Sequence, residues 1–420
     1  MFLDIRSMTI CVVDQHFSLN KILLRALALW PYHRTKLVEL HLVLLFFIFI
    51  SFILVQLTTF LTTECTPNMR IRIFSFVLYF TIYLIKYSCF CINSDTIRCL
   101  LDKFQYICDE LKDEGEIAII KEYGNEAKRF TLIMSVYSIS NALILCLLPI
   151  VPRILGIFTS INVSEEYFMI HVPREYFIDQ EKYYYYILLH MEANFFIGAI
   201  VLLATGTMLF GCIKYICGLF RIASCRIDQT METSMFQSAG LSKDCVIYKK
   251  IVHAIDIYRK AVELVLIISA QLCDIIKSNL VGSCFSLMLV GVISLSLNLY
   301  GLHQALMLVS ATEECLMYVT LTVVILIYMF IASYIGQEVS DHHNHVFISV
   351  YNIKWYVTPL YIQRIILFLL QKGTKNFYIT FGGQFVMSME SATTVKLCHI
   401  MSCYKITSNY NFPRGVTLSA

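Results

Sequence analysis

Seven stretches of this chain, residues 40–61, 73–93, 130–152, 186–213, 279–301, 315–335 and 379–402, each hold about twenty or more predominantly apolar residues. A bilayer core needs roughly 20 apolar residues per helix. Backbone N–H and C=O groups find no water there and must bond within their own helix. Seven such stretches in 420 residues leave little chain for a separate soluble core. The expected fold is therefore all-α, a polytopic membrane protein with seven transmembrane helices. Composition agrees, since charged residues make up only 15% and mean hydropathy is +0.67, against about a quarter charged in soluble domains.

Lys and Arg set the expected orientation. With the N-terminus inside, the cytosolic pieces (1–36, 94–129, 214–278 and 336–378) carry 24 of the 33 basic residues and the outer pieces only 7. Lys86 and Lys396 fall within spans. Basic residues are retained on the cytosolic side, so this split puts the N-terminus inside and the C-terminus outside. That is opposite to a G-protein-coupled receptor. The chain divides into a cytosolic segment 1–36, spans one to six with cytosolic helical extensions over 37–335, a cytosolic segment 336–378, a last span 379–402 and an outer tail 403–420. Asn162-Val163-Ser164 is the lone glycosylation sequon and falls in an outer loop, where Asn162 is open to modification.

The last span is the least lipid-like. It carries Gly382, Gly383, Ser388, Glu390, Ser391, Thr393, Thr394 and Lys396. Hydrocarbon cannot solvate these groups, so the span is expected to face water or protein and to line a pore.

Elsewhere the chain offers local signals. Residues 19–30 read as a short amphipathic helix on the membrane surface, with Trp30 and Tyr32 as interfacial anchors. Tyr79 and Tyr83 share one face of the second span, as do Phe76 and Phe80. They could line a pocket for an apolar ligand or simply pack between helices. Lys86, deeper in that span, is expected to snorkel toward the cytosol. The third span ends in Pro149-Ile150-Val151-Pro152, which should kink its outer end. His190 and Asn194 share a face of the fourth span and could bond a ligand or each other. The run Asp341-His342-His343-Asn344-His345 has helical same-face spacing, but no nearby cysteine completes a set. A solvated face is expected there, with no metal and no cofactor. Most of the sixteen cysteines fall in spans or cytosolic loops, so at best one outer disulfide, between Cys65 and Cys315, is expected. A net charge of +3 gives no reason to expect nucleic acid.

Four groups of residues then stand in a recognisable order: Phe17, Asn20 and Leu29-Trp30-Pro31-Tyr32; Pro149 and Pro152 followed by Glu175-Tyr176-Phe177-Ile178-Asp179-Gln180-Glu181-Lys182-Tyr183; Cys217-Gly218-Leu219-Phe220; and Gly336-Gln337-Glu338-Val339 with Tyr351, Trp355-Tyr356, Pro359 and Arg364. Together with the inverted seven-span topology, the chain resembles insect odorant receptors, most closely those of ants, bees and wasps. The resemblance implies a tuning subunit that joins a shared co-receptor in a heterotetramer around one pore. Its ligand would be a small apolar odorant and its site the plasma membrane of olfactory neuron dendrites. It implies an anchor bundle that includes Trp355 and Arg364, and an odorant pocket between the outer halves of spans two, three, four and six. Tyr79, Tyr83, Leu148, His190, Met191, Asn194, Tyr318 and Leu321 are the pocket candidates. The pore-lining candidates are Met401, Tyr404 and Ser408. A seven-helix receptor signalling through a G protein is the alternative, disfavoured by the charge asymmetry. No nucleophile–base pair points to an enzyme.

Overall fold

The computed structural model describes residues 15–32, 35–62, 66–147, 182–236, 241–273, 283–307, 312–352, 355–357, 360–373, 380–381 and 385–386. Among these residues ten helices dominate: α1 (Ser18–Ala26), α2 (Lys36–Thr62), α3 (Pro67–Ile92), α4 (Ser94–Glu110), α5 (Glu114–Leu147), α6 (Tyr184–Phe236), α7 (Leu241–Cys273), α8 (Ser283–Met307), α9 (Thr312–Asn352) and α10 (Leu360–Gly373). Six of them, α2, α3, α5, α6, α8 and α9, are long and apolar enough to cross a membrane.

The apolar runs do not stop where the helices stop. Helix α6 continues 23 residues past the fourth apolar stretch, α9 continues 17 past the sixth, and α5 begins 16 before the third. These extensions are polar on one side and apolar on the other. With α4 and α7 they form a helical bundle contiguous with the spans. Helix α4 shows the local logic: Ile97, Leu100, Leu101, Phe104 and Ile107 recur at helical spacing and are all buried.

Helix α6 is the hub. It packs against α1, α2, α3, α5, α7 and α9, and 61% of its most apolar window is buried, against 17% for α2 and α5. The outer faces of α2 and α5 carry exposed Leu40, Phe47, Leu132, Ile139 and Leu143. These are the faces a bilayer would cover.

Helix α1 departs from the surface-helix expectation. Phe17, Leu24, Leu27, Leu29 and Trp30 are buried in protein. Phe17 stacks on Tyr215 at 5.7 Å and sits where a Cβ on Gly211 would stand only 2.6 Å from its ring. Buried Asn20 donates to the Thr207 hydroxyl (2.9 Å), and the Tyr87 hydroxyl donates to the Leu27 carbonyl (3.0 Å). The helix docks on α6 because α6 offers a glycine and a hydroxyl at that level.

The last apolar stretch differs from expectation where it is described. Thr380–Phe381 and Phe385–Val386 pair as antiparallel strands, with Phe381 opposite Phe385. A helix beginning at 379 does not include them. Gly382-Gly383 lies between the two strands, and each glycine costs a helix about 1 kcal/mol relative to alanine while favouring a tight turn. The remainder of 379–402 lies outside the described residues. So do Leu148, Asn162, Met401, Tyr404 and Ser408, as well as Cys65. Cys315 is a free thiol.

Candidate ligand-binding site

A cavity of about 90 Å³ lies among α3, α5, α6 and α9. These helices are spans two, three, four and six. One ordered water takes about 10–15 Å³ on this scale, so there is room for a molecule of several heavy atoms.

Each wall follows from helical spacing. Helix α3 contributes Tyr79 and Tyr83, one turn apart, with ring centroids 4.9 Å apart in an edge-on arrangement. Helix α5 contributes Phe130, Met134, Tyr137, Ser138, Asn141, Ala142 and Leu145, a repeating three- and four-residue stripe. Helix α6 presents Phe195, Ala199, Leu202, Leu203, Gly206 and Thr207, and α9 presents Val324, Ile327, Tyr328 and Ile331. Lys86 lies beside this region, its ammonium 4.8 Å from the Tyr328 ring centroid.

Polar groups on the walls are few. Thr207 is engaged by Asn20 and donates to the Leu203 carbonyl. The Asn141 amide donates to the Tyr137 carbonyl (2.9 Å). The Tyr137 hydroxyl is buried beside the Asn141 side chain and makes no hydrogen bond of good geometry among the described residues. An unpaired buried hydroxyl costs about 1–3 kcal/mol, which a ligand acceptor or donor would recover.

One glycine shapes the floor. A Cβ on Gly198 would lie 2.0 and 2.1 Å from Tyr83 ring atoms. Tyr83 is itself held by Tyr79, by Phe80 at 5.4 Å and by Phe49 at 6.3 Å.

Of the residues singled out from the sequence, Tyr79 and Tyr83 line the cavity; His190, Met191, Asn194, Tyr318 and Leu321 stand outside its lining. His190 lies against Ser51 (Nε2 to Oγ 3.1 Å) and Phe52. Ser51 donates to the Ile48 carbonyl, so His190 is the donor in that pair. Asn194 is buried, with its amide on the His190 carbonyl (2.7 Å) and its Oδ1 unpartnered among the described residues. Tyr318 packs over Gly301 and Leu321 is buried. Trp355 is half-buried in a short 3-10 turn beside Tyr356, and Arg364 is exposed on α10.

The extended ends of α5, α6 and α9 are joined by charge. Lys214, almost fully buried, bonds Glu126 (2.8 Å) and Glu338 (2.5 Å). Arg226 grips Glu116 through two nitrogens (2.5 and 2.8 Å). The histidine run is not a solvated face. His343 is buried and receives the Tyr258 hydroxyl (2.9 Å), His342 meets Tyr123 (2.7 Å), and His345 meets Ser224 (3.2 Å). Those partners lie 85 to 219 residues away in the chain.

Comparison with known proteins accords with this architecture. The chain is similar over 94% of its length to the insect olfactory receptor OR5 from Machilis hrabei, solved alone (TM-score 0.74, 14% identity). It matches the same receptor solved in complex with eugenol with a TM-score of 0.72, again at 14% identity; each match covers 98% of that chain. No curated protein sequence matches. The family model described as 7tm Odorant receptor matches residues 66–398, most of the chain. The protein belongs to the 7tm odorant receptor family.

Proposed function

We propose that this protein is the odorant-binding, tuning subunit of a heteromeric odorant-gated cation channel, of the kind found in ants, bees and wasps. The observation that carries the reading is the cavity among α3, α5, α6 and α9, with apolar and tyrosine walls and one unpaired hydroxyl. Its walls suit a small, largely apolar molecule that carries one hydrogen-bonding group. The Machilis receptor was solved with eugenol, and a ligand of that kind fits the same reading here. Leu148, outside the described residues, stands three positions after Leu145 in the sequence and is kept as a pocket candidate. His190, Met191, Asn194, Tyr318 and Leu321 then shape the cavity's surroundings, Asn194 through its free Oδ1.

A ligand gates only if it binds the open arrangement more tightly. A tenfold preference is worth about 1.4 kcal/mol per site. Helices α5, α6 and α9 carry both the cavity and the ion-paired bundle, so a change in their spacing reaches both. In this reading the last span lines the pore, with Met401, Tyr404 and Ser408 on one face. Trp355 and Arg364 belong to the contact with a co-receptor in a heterotetramer. The N-terminus lies inside, as the basic residues demand, and the protein works in the plasma membrane of sensory dendrites.

The test is whole-cell current in a heterologous cell, with this chain alone and with an insect odorant co-receptor, over a broad volatile panel. A G-protein inhibitor is included inside the cell. A fast cation current that needs both chains and survives the inhibitor is expected. Responses that vanish with the inhibitor, while the protein reaches the surface, would restore the metabotropic alternative. Tyr404→Cys and Ser408→Cys should add block by external thiol reagents; currents unaltered in both would remove that face from the pore.

A further inference from the structure

The inner end of the bundle holds a group of side chains that odorant binding does not use. Cys217 on α6 and Glu338 and His342 on α9 bring a sulfur, a carboxylate oxygen and an imidazole nitrogen within 4.8 Å of one another. Cys217 is fully buried, and Glu338 and His342 are partly so. Glu338 and His342 stand one turn apart on one helix face. We propose that these three side chains form a transition-metal site, best suited to zinc, that clamps α6 to α9.

The hydrogen bonds around His342 have the form such a site needs. Its Nδ1 lies 2.9 Å from the Glu338 carbonyl, which can only accept. The proton therefore sits on Nδ1, and Nε2 carries the lone pair that accepts from the Tyr123 hydroxyl (2.7 Å). A backbone carbonyl on one ring nitrogen, leaving the other free to ligate, is the arrangement that orients metal-binding histidines. Glu338 divides its oxygens in the same way. Oε1 takes Lys214, while Oε2 is buried with no partner among the described residues.

Charge and donor type agree. Lys214 against Glu126 and Glu338 leaves one net negative charge. When a divalent ion binds, the Cys217 thiol proton leaves to solvent and a sulfur–metal bond forms. The thiolate adds the second negative charge, which the ion cancels. Thiolate, imidazole and carboxylate together suit zinc and exclude calcium or magnesium, which take oxygen ligands. Tetrahedral ligands about 2.0–2.3 Å from zinc stand about 3.3–3.8 Å apart, so the three groups need to close by about 1 Å. The fourth position falls to a water or to the Tyr123 oxygen displaced from His342. The ion would tie α6 to α9 about 10–15 Å along their axes from the cavity residues Ile331 and Thr207.

The full-length protein in detergent micelles, titrated with Co²⁺ as a coloured stand-in for Zn²⁺, tests this. One equivalent of Co²⁺ should give tetrahedral ligand-field bands with a thiolate-to-cobalt charge-transfer band. One equivalent of Zn²⁺ should bleach them, and Mg²⁺ should not. Cys217→Ser should abolish the charge-transfer band. His342→Gln, which keeps an acceptor for Tyr123, should weaken Co²⁺ binding by more than the about 10–100-fold that losing an outer-shell partner costs. No band in the native chain overturns the proposal. So does a band of full intensity and affinity in either variant, which would place the metal on another of the sixteen cysteines. If Cys217→Ser does not fold, His342→Gln decides alone.

Discussion

Gly198 offers a test of whether the cavity is what odorants sense. In Gly198→Ala the new methyl would sit 2.0 Å from the Tyr83 ring. Carbon atoms pack at about 3.5–4.0 Å, so the ring must move by about 1.5 Å. Its retreat is blocked by Tyr79, Phe80 and Phe49, and the free direction is into the cavity. Overpacking of this kind costs about 1–3 kcal/mol. If half of that falls on the ligand-bound state, the EC50 rises by about 2- to 12-fold, more for large ligands than for small ones. The assay is concentration–response in co-receptor-expressing cells for the best ligands of graded size, normalised to surface protein. In a Tyr83→Ala background the obstruction is gone, so Gly198→Ala should there change EC50 less than twofold. Double-mutant coupling of that size isolates the pair. Equal shifts in both backgrounds would refute the reasoning, as would unchanged EC50 for the largest ligand in the single variant.

Three further outcomes follow from the same contacts. Tyr137→Phe should lower responses to ligands with a hydrogen-bonding group by about 2- to 12-fold, the worth of one hydrogen bond. It should leave hydrocarbons unaffected, which an EC50 series would read. Lys214→Met leaves Glu338 buried and unpaired, a loss of about 3–5 kcal/mol, so the apparent melting temperature of the purified protein should fall. Adding Glu338→Gln should recover part of it. Between α4 and α7, Lys260 bonds Glu110 and Asp256 (2.5 and 3.0 Å) and, as the main cause, holds both carboxyls below their ordinary range. A depressed folded-state value means the stabilisation is complete above the unfolded carboxyl range and is lost as pH falls through the folded one. Amide exchange over Ser94–Glu110 should therefore quicken as pH drops below about 4, beyond its intrinsic pH dependence. Lys260→Met should exchange faster at pH 7 and gain little more from acid.

The sequence announced the spans because lipid admits so few backbone solutions. It announced Tyr79 and Tyr83 because two aromatics one turn apart mark a helix face. It also holds the α5 wall: Tyr137, Ser138, Asn141 and Ala142, one turn after Met134, form a stripe of small and polar groups along an apolar span. That stripe resembles ordinary serine and asparagine scatter until neighbouring helices give it a direction. The histidine run departs from its expectation for another reason. Hydrophobic pattern shows that a face is polar, but only the distant partners Tyr123, Ser224 and Tyr258 show that it is covered. Gly382-Gly383 counts in the sequence among the groups that set the last span apart from a lipid-facing helix, and only the pairing of Phe381 with Phe385 shows that strands flank the pair. In the Cys217–Phe220 signature, Phe220 is fully buried and Gly218 lets Ile120 and Tyr123 come close, so part of its pattern is packing.

Helix α6, at 53 residues about 80 Å long, constrains how a repertoire can diverge on this frame. A substitution on α6 that alters odour preference also disturbs one of six neighbouring helices. Helix α5 is different, because one face of its apolar part meets the cavity and the opposite face, with Leu132, Ile139 and Leu143, is exposed where a bilayer would cover it. New odour ranges should therefore arise most readily at α5 positions such as Ser138 and Asn141, which line the cavity, and less at Phe130, which also stacks on Phe210 of α6.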